Sequence, residues 1–256
     1  MWLRNINNNT KPLSTLVVYL LLCSSLDLIQ CMPSTVDDPV ELLTVAIDSV
    51  YDRMFQANSS GWLGADAATS IVLDDRRTLW LFGDTFLGEI IDGRRVPNRH
   101  YTNSTIAIQD RTQDPRQSIR YYWRRQDGKD QSFFPYQEGT AGHYYWPTSA
   151  IMVGEHLLVF CMAVNLDWSE EWIAGTVVAI IDNPGDDPLE WQIRYIDLGL
   201  GDDSFVLHAA LWLDVPYVYF LALDQLNNDP ENRRMILARS EAEALIAGSS
   251  SDILEY

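Results

Sequence analysis

Residues 150–161 read AIMVGEHLLVFC, two apolar runs separated by the turn residues Gly154 and Glu155. Short apolar runs that flank a tight turn are typical of an antiparallel β-hairpin. The second run is almost uninterrupted, which predicts a strand that is buried on both faces. The stretch therefore predicts a hairpin inside a larger β-structure.

The same hairpin pattern occurs twice more. Residues 70–73 and 78–84 flank one turn, and residues 209–213 and 217–223 flank another. Two strand-like segments follow each hairpin, at residues 104–109 and 119–123, 176–181 and 191–196, and 235–239 and 252–256. The chain is thus predicted to be all-β, with three imperfect units of four antiparallel strands.

Repeated four-stranded units are typical of the blades of a β-propeller. We expect three blades, at about residues 61–135, 136–200 and 201–256. The alternative is a β-sandwich of about a dozen strands, which the repeat disfavours. Because propellers have about four to eight blades, the sequence predicts an incomplete set from a longer protein. Residues 32–256 alone are then expected to aggregate or to oligomerise through an uncovered blade face.

The N-terminal part has the pattern of an export signal. Arg4 and Lys11 precede an apolar stretch at residues 13–22, which is short for a membrane span. We expect residues 1–31 to be a signal peptide of a secreted, extracellular protein, with a membrane anchor as the alternative. Residues 32–60 form a lead-in segment with a possible helix at 40–55.

The charge balance narrows the range of partners. The 256 residues include 36 acidic and 18 basic side chains, a net charge of −18, and only Lys11 and Lys129 are lysines. Nucleic acid is excluded as an expected partner, because phosphate binding requires a basic surface. The 3 cysteines do not suggest a disulfide framework, and Cys161 is predicted to be a buried free thiol.

The predicted topology gathers polar and aromatic residues at one edge of the sheets. In an antiparallel hairpin, the start of the first strand and the end of the second lie at the same end. The residues at those positions are Trp62, Asp66, Asp84, Asn103, His143, Tyr145, Trp146, Asn165, His208 and Asp224. The turns at the opposite end are merely charged. The sequence therefore predicts a binding or catalytic site at this edge.

Two motifs carry a resemblance to a known family. Residues 61–66, GWLGAD, and residues 79–88, LWLFGDTFLG, resemble the opening blade of a secreted, largely uncharacterised five-bladed β-propeller family. That family is similar in fold to glycosidases of the arabinanase, levanase and invertase type. Residues 103–105, 144–147 and 235–239 also resemble it, so the resemblance extends from about residue 45 to the end.

This resemblance implies an exported carbohydrate-active protein that binds a polysaccharide or oligosaccharide in a pocket at the propeller axis. Glycoside cleavage needs one protonated and one ionised carboxyl group. Asp66 stands where those glycosidases place their base or nucleophile, and Asp84 is the second carboxylate. Four aromatic residues are then expected to contact sugar rings, with a place in the core as the alternative: Trp62, Tyr144, Tyr145 and Trp146. Trp80 and Trp212 are expected in the core.

The second and third units depart from the glycosidase pattern. Their first strands begin with residues 147–149, PTS, and 207–209, LHA, where a carboxylate is expected. Glu138, Glu171 or Asp203 could replace it. A non-catalytic propeller that binds a glycan or a protein therefore remains open. No cofactor or metal is predicted, although His143 and His208 beside Asp84 would suit a metal ion.

Overall fold

A computed structural model of the chain describes residues 46, 48–56, 61–98, 101–115, 117–166, 173–198, 205–225, 233–248 and 254–255. Only the backbone is described at residues 50, 205–209, 223–225, 233–234 and 254–255. The predicted signal peptide and most of the lead-in segment lie outside these ranges. The described part of the predicted lead-in helix is α1, Ser49–Met54. None of the helices that the structure describes has the length and apolarity to cross a bilayer.

Antiparallel strands make up almost all of the described chain. The strands are β1 (Trp62–Ala65), β2 (Thr69–Val72), β3 (Arg77–Phe82), β4 (Thr85–Ile91), β5 (Arg94–Pro97), β6 (Thr105–Asp110), β7 (Ile119–Tyr122), β8 (Arg124–Gln126), β9 (Lys129–Gln131), β10 (Tyr144–Val153), β11 (His156–Val164), β12 (Ile173–Ile181), β13 (Ile193–Asp197), β14 (Phe205–Asp214), β15 (Tyr217–Gln225), β16 (Arg233–Glu241) and β17 (Leu254–Glu255). A 3₁₀ turn, Pro188–Glu190, and helix α2, Ala242–Ala247, complete the described elements. The all-β prediction is confirmed.

Three four-stranded sheets follow one another along the described chain. The first has the order β2-β3-β6-β7, the second β10-β11-β12-β13 and the third β14-β15-β16-β17. The three predicted hairpins pair as expected, as shown by Ser70 opposite Trp80 and Val153 opposite His156 and by Asp214 opposite Tyr217. In each sheet the two later strands take the third and fourth places that the sequence predicted.

The second sheet is buried on both faces. From β11, Leu157, Val159 and Cys161 join the core formed with Leu79, Leu81 and Ile106 of the first sheet. The alternate residues Leu158 and Phe160 pack with Val218 and Phe220 of the third sheet. Alternate side chains of a strand point to opposite faces, so β11 serves two cores, as its apolar sequence predicted. The Cys161 thiol is free and buried, as expected, and burial raises its pKa.

A small sheet and a short hairpin were not predicted. Strands β1, β4 and β5 form a three-stranded sheet, and β8 and β9 pair with each other. Both hairpins turn at an Asp-Gly pair with positive φ at both residues, 49° and 74° at Asp92 and Gly93 and 50° and 75° at Asp127 and Gly128. These angles define the type I′ turn, for which Asp-Gly is a favoured sequence.

The tryptophan predictions for the sheets are half right. Trp80 is partly buried and its ring lies 4.7 Å from that of Phe55. Trp212 is 39% exposed, contrary to the expectation of a core position. It pairs with Tyr219, at a ring distance of 4.9 Å, on the face of the third sheet that points away from the second sheet.

Candidate functional site

The two predicted carboxylates lie on loops that are hydrogen-bonded to each other. Asp66 follows β1, and Asp84 follows β3. The Asp66 amide donates to the Asp84 carbonyl at 3.2 Å, and the Gly83 amide donates to the Asp66 carbonyl at 3.1 Å. Ala67 adopts a left-handed conformation with φ of 52°, which is uncommon outside glycine. These bonds fix the two aspartates side by side at the ends of their strands.

Gly83 makes room for the Asp66 side chain. A Cβ atom at position 83 would collide with Asp66 Oδ1. The Asp66 carboxylate therefore lies against the backbone just before Asp84. A buried glycine at this point allows a close approach that no other residue type permits.

Asp84 is half-buried and accepts two hydrogen bonds on Oδ1. Trp146 Nε1 donates at 2.8 Å and Asn103 Nδ2 at 3.3 Å. Burial raises the pKa of Asp84 above its ordinary value, the hydrogen bonds from Trp146 and Asn103 oppose this rise, and the negative charge of Asp66 adds to it. Because the net shift is upward, Asp84 keeps its proton to a higher pH than a free aspartic acid.

Buried hydroxyl groups hold the loop that carries Asp84. Thr85 Oγ1 donates to the Gly83 carbonyl at 2.8 Å and lies 2.9 Å from Thr105 Oγ1. Trp62 Nε1 donates to the same Thr105 hydroxyl at 3.3 Å. Since Trp62 is only 3% exposed and stacks on Tyr121 at 4.3 Å, it belongs to the core. The expectation that Trp62 binds substrate is corrected, because β1 turns its ring inward.

The expectation for Tyr145 is corrected in the same way. Tyr145 is fully buried, and its hydroxyl accepts from the Gln137 amide at 3.1 Å and bonds to Thr140. Its neighbour Tyr144 lies on the same face of β10 as Trp146, with the rings 5.6 Å apart. Burial, the Asp84 charge and the proximity of Tyr101 raise the pKa of Tyr144 to about 12. Tyr144 is therefore the tyrosine of β10 that lies near Asp84.

Two exposed aromatic residues near Asp84 were missed. Tyr101 is 50% exposed and Phe86 is 53% exposed, and their ring centroids are 6.4 Å apart. Tyr101 lies two residues before Asn103, and Phe86 lies two residues after Asp84. Exposed large apolar side chains beside a polar cluster are a recognised feature of ligand-binding surfaces. We use the name carboxylate site for Asp66, Asp84, Asn103, Tyr144 and Trp146.

The four remaining predicted residues border or belong to strands β10, β11, β14 and β15. His143 is exposed beside Tyr136, at a ring distance of 6.5 Å, and Asn165 directly follows β11. His208 and Asp224 belong to β14 and β15, where only the backbone is described; Asp224 pairs with Phe205. Of the ten predicted site residues, Asp66, Asp84, Asn103 and Trp146 are brought together. Within the described part of the chain, no three His, Cys, Asp or Glu side chains are placed to hold a metal ion.

A family model described as "Domain of unknown function (DUF5005)" matches residues 48–247. The protein belongs to this family. None of the curated proteins matches the sequence of this DUF5005 protein.

Two solved structures match part of the chain. A "putative hydrolase" from Bacteroides ovatus matches with a TM-score of 0.58 at 18% identity, over 74% of this chain and 51% of that protein. The DUF5005 chain thus spans about half the length of that protein, and the likeness concerns the fold alone. A second structure, solved as an RGII complex, matches with a TM-score of 0.42 at 14% identity, over 80% of this chain and 64% of that one.

Proposed function

We propose that this chain is an exported, carbohydrate-active protein that cleaves glycosidic bonds at the carboxylate site, on a β-propeller of the five-bladed glycosidase type. The observation that carries the proposal is the pair of Asp66, which is exposed, and Asp84, which is half-buried with a raised pKa. The fold supports the proposal through its successive four-stranded antiparallel sheets, of which the middle one is buried on both faces, because a propeller is built from repeated sheets of this kind.

The two carboxyl groups suit different roles in glycoside cleavage. Asp84 retains a proton and donates it to the oxygen of the leaving group, as a general acid must. Asp66 takes the other role, in which it activates water or attacks the sugar carbon. Tyr144 and Trp146 offer partly exposed rings on the same face, against which the apolar face of a sugar packs.

A non-catalytic glycan- or protein-binding propeller is the second candidate. It is favoured by the hydrogen bonds from Trp146 and Asn103, which occupy Asp84 Oδ1, and by the lack of a carboxylate at residues 147–149 and 207–209. In this case the same residues form a binding face, and Asp84 orients Trp146.

A screen of the full chain against polysaccharides and defined oligosaccharides, combined with a glycan array, tests both candidates. We expect new reducing ends from one class of glycan that also binds on the array. Binding without release of reducing ends would support the second candidate. Neither binding nor release from any glycan would contradict the carbohydrate-active proposal.

Replacing Gly83 with Ala should lower kcat/KM by about 100-fold, because the new Cβ displaces the Asp66 carboxylate from its place beside Asp84, and a misplacement of about 1 Å costs this much. Hydrolysis kinetics and a thermal melt measure the effect. The matched control is Gly185→Ala, because an added Cβ there meets nothing within 4 Å. If Gly83→Ala retained full activity, the position of the Asp66 carboxylate would not matter to the reaction.

Replacing Trp146 with Phe should move the alkaline limb of the pH–rate profile upward by about one unit. The indole N–H stabilises the Asp84 carboxylate, so its removal raises the pKa of Asp84 further, and the acid form survives to higher pH. The profile of kcat/KM against pH measures the shift. Trp80→Phe is the control, since Trp80 donates to Gln109 instead. An unmoved or lowered limb would rule out Asp84 as the acid.

A further inference from the structure

A cavity opens beside Tyr101 and Thr102, the two residues that precede Asn103 of the carboxylate site. It has a volume of about 440 Å³ and is lined on one side by Asn98, Tyr101 and Thr102 and on the other by the β8–β9 hairpin. This volume is within the range of about 300–1,000 Å³ typical of small-molecule sites. Its lining includes Tyr101, Thr102, Lys129 and Gln131. An aromatic ring can pack against the apolar face of a sugar, and the polar groups can form hydrogen bonds with its hydroxyl groups.

Backbone hydrogen bonds connect the cavity lining to the carboxylate site. Thr102 exchanges two backbone hydrogen bonds with Thr85, at 2.8 and 3.0 Å, and Thr85 directly follows Asp84. The residue after Thr102 is Asn103, which donates to Asp84. A glycan bound at Asp84 therefore has the cavity next to it, with the exposed ring of Tyr101 at its border.

The two charged side chains that line the cavity, Asp130 and Lys129, differ in how many hydrogen bonds and ion pairs they form. Asp130 accepts hydrogen bonds from Asn98 Nδ2 at 2.9 Å, Trp123 Nε1 at 2.9 Å and Arg125 Nε at 3.0 Å. Lys129, in contrast, forms no ion pair with any residue that the structure describes, and its side chain is exposed. An ammonium group with free donors at a binding cavity favours an anionic ligand group.

We infer that this cavity is a subsite for an acidic sugar unit of an extended oligosaccharide. The inference rests on the proposed function, because it places the neighbouring unit of the same glycan at the carboxylate site. Lys129 binds the carboxylate of the acidic unit, and Tyr101 packs against its ring. Gln131 bonds to its hydroxyl groups. The substrate class is therefore an acidic oligosaccharide, such as a chain of hexuronate units.

Calorimetric titration of the full chain carrying Asp66→Asn tests the subsite without cleavage. The probes are galacturonate oligomers of two to six units and the same oligomers after reduction of their carboxyl groups. We expect the acidic oligomers to bind at least tenfold more tightly than the reduced ones. Lys129→Met should abolish this preference, whereas Lys129→Arg should keep it. Arg94→Met is the control, because it removes the same charge from an exposed position on β5.

Three outcomes would overturn the subsite. They are equal or tighter binding of the reduced oligomers, the same change in affinity from Lys129→Met and Arg94→Met, and no binding of any oligomer. The result is separable from that of the proposed function, because binding is measured apart from hydrolysis. A chain without hydrolytic activity whose affinity depends on Lys129 supports the subsite and refutes only the catalysis. An active enzyme whose affinity ignores Lys129 refutes only the subsite.

Discussion

Asp66→Asn is expected to lower the rate of glycoside hydrolysis by about 10²- to 10⁴-fold, the usual contribution of a positioned acid–base group. The amide has the shape of the carboxylate but can neither accept the proton of a water molecule nor attack the sugar carbon as an anion. Asp66 is exposed, and the described bonds to its loop come from the backbone. The variant should therefore fold and melt like the wild-type chain.

The kinetics need a carboxylate control and a way to assign the role of Asp66. Glu138→Gln serves as the control, since Glu138 is exposed and was one of the replacements considered from the sequence for a missing acid. Added azide should restore turnover to Asp66→Asn if Asp66 is the nucleophile, because azide can attack in its place. Full activity of Asp66→Asn together with loss in Glu138→Gln would show that the wrong carboxylate has been chosen.

The sequence predicted those parts of the fold whose pattern lies within a short stretch of residues. Hairpins such as the one at residues 150–161 combine a tight turn with apolar runs, and both features are visible within about a dozen residues. The β4–β5 and β8–β9 hairpins were missed because β5, β8 and β9 are only three or four residues long and are polar or basic, without an apolar run. Their Asp-Gly turns, at residues 92–93 and 127–128, were nevertheless present as a signal.

The sequence predicted which strand ends meet at the site. It did not predict which side chains of those strands face the site. Strand ends bring Asp66, Asp84 and Asn103 to one edge, and this follows from antiparallel pairing alone. Whether Tyr144 or Tyr145 faces the site depends on the register of β10, because a shift of one residue exchanges the two faces of a strand. Residues 144–146, YYW, are all aromatic. They lack the alternation of apolar and polar residues that would show which of them face the core.

The residues that line the proposed subsite could not be predicted from the pattern of hairpins. Tyr101 lies between β5 and β6, and Lys129 is the first residue of β9. Both are outside the four-stranded repeat on which the prediction was based. The segment that contains Tyr101 is joined to the Asp84 loop by the pairing of Thr85 with Thr102. An isolated pair of this kind leaves no pattern in the sequence, so it can be known only from the structure.

Trp62→Ala is expected to lower the free energy of unfolding by about 3–5 kcal/mol, the usual cost of truncating a large buried aromatic residue. The substitution removes the stack on Tyr121 and the contact with Phe82, whose ring lies 5.2 Å away. It also deprives the Thr105 hydroxyl of the indole donor. A total stability of about 5–15 kcal/mol is usual for a domain, so the variant should unfold at a temperature lower by roughly 10 °C.

Trp212→Ala makes the same chemical change at a position that is 39% exposed, and it should cost about 1 kcal/mol through its stack on Tyr219. Chemical denaturation of both variants measures the difference, and glycan binding by the folded fraction separates a core role from a ligand-binding role. Since Trp62 reaches the Asp84 loop only through Thr105 and Thr85, folded Trp62→Ala should bind glycans nearly as well as the wild-type chain. A variant of normal stability that binds no glycan would instead place Trp62 in contact with the sugar.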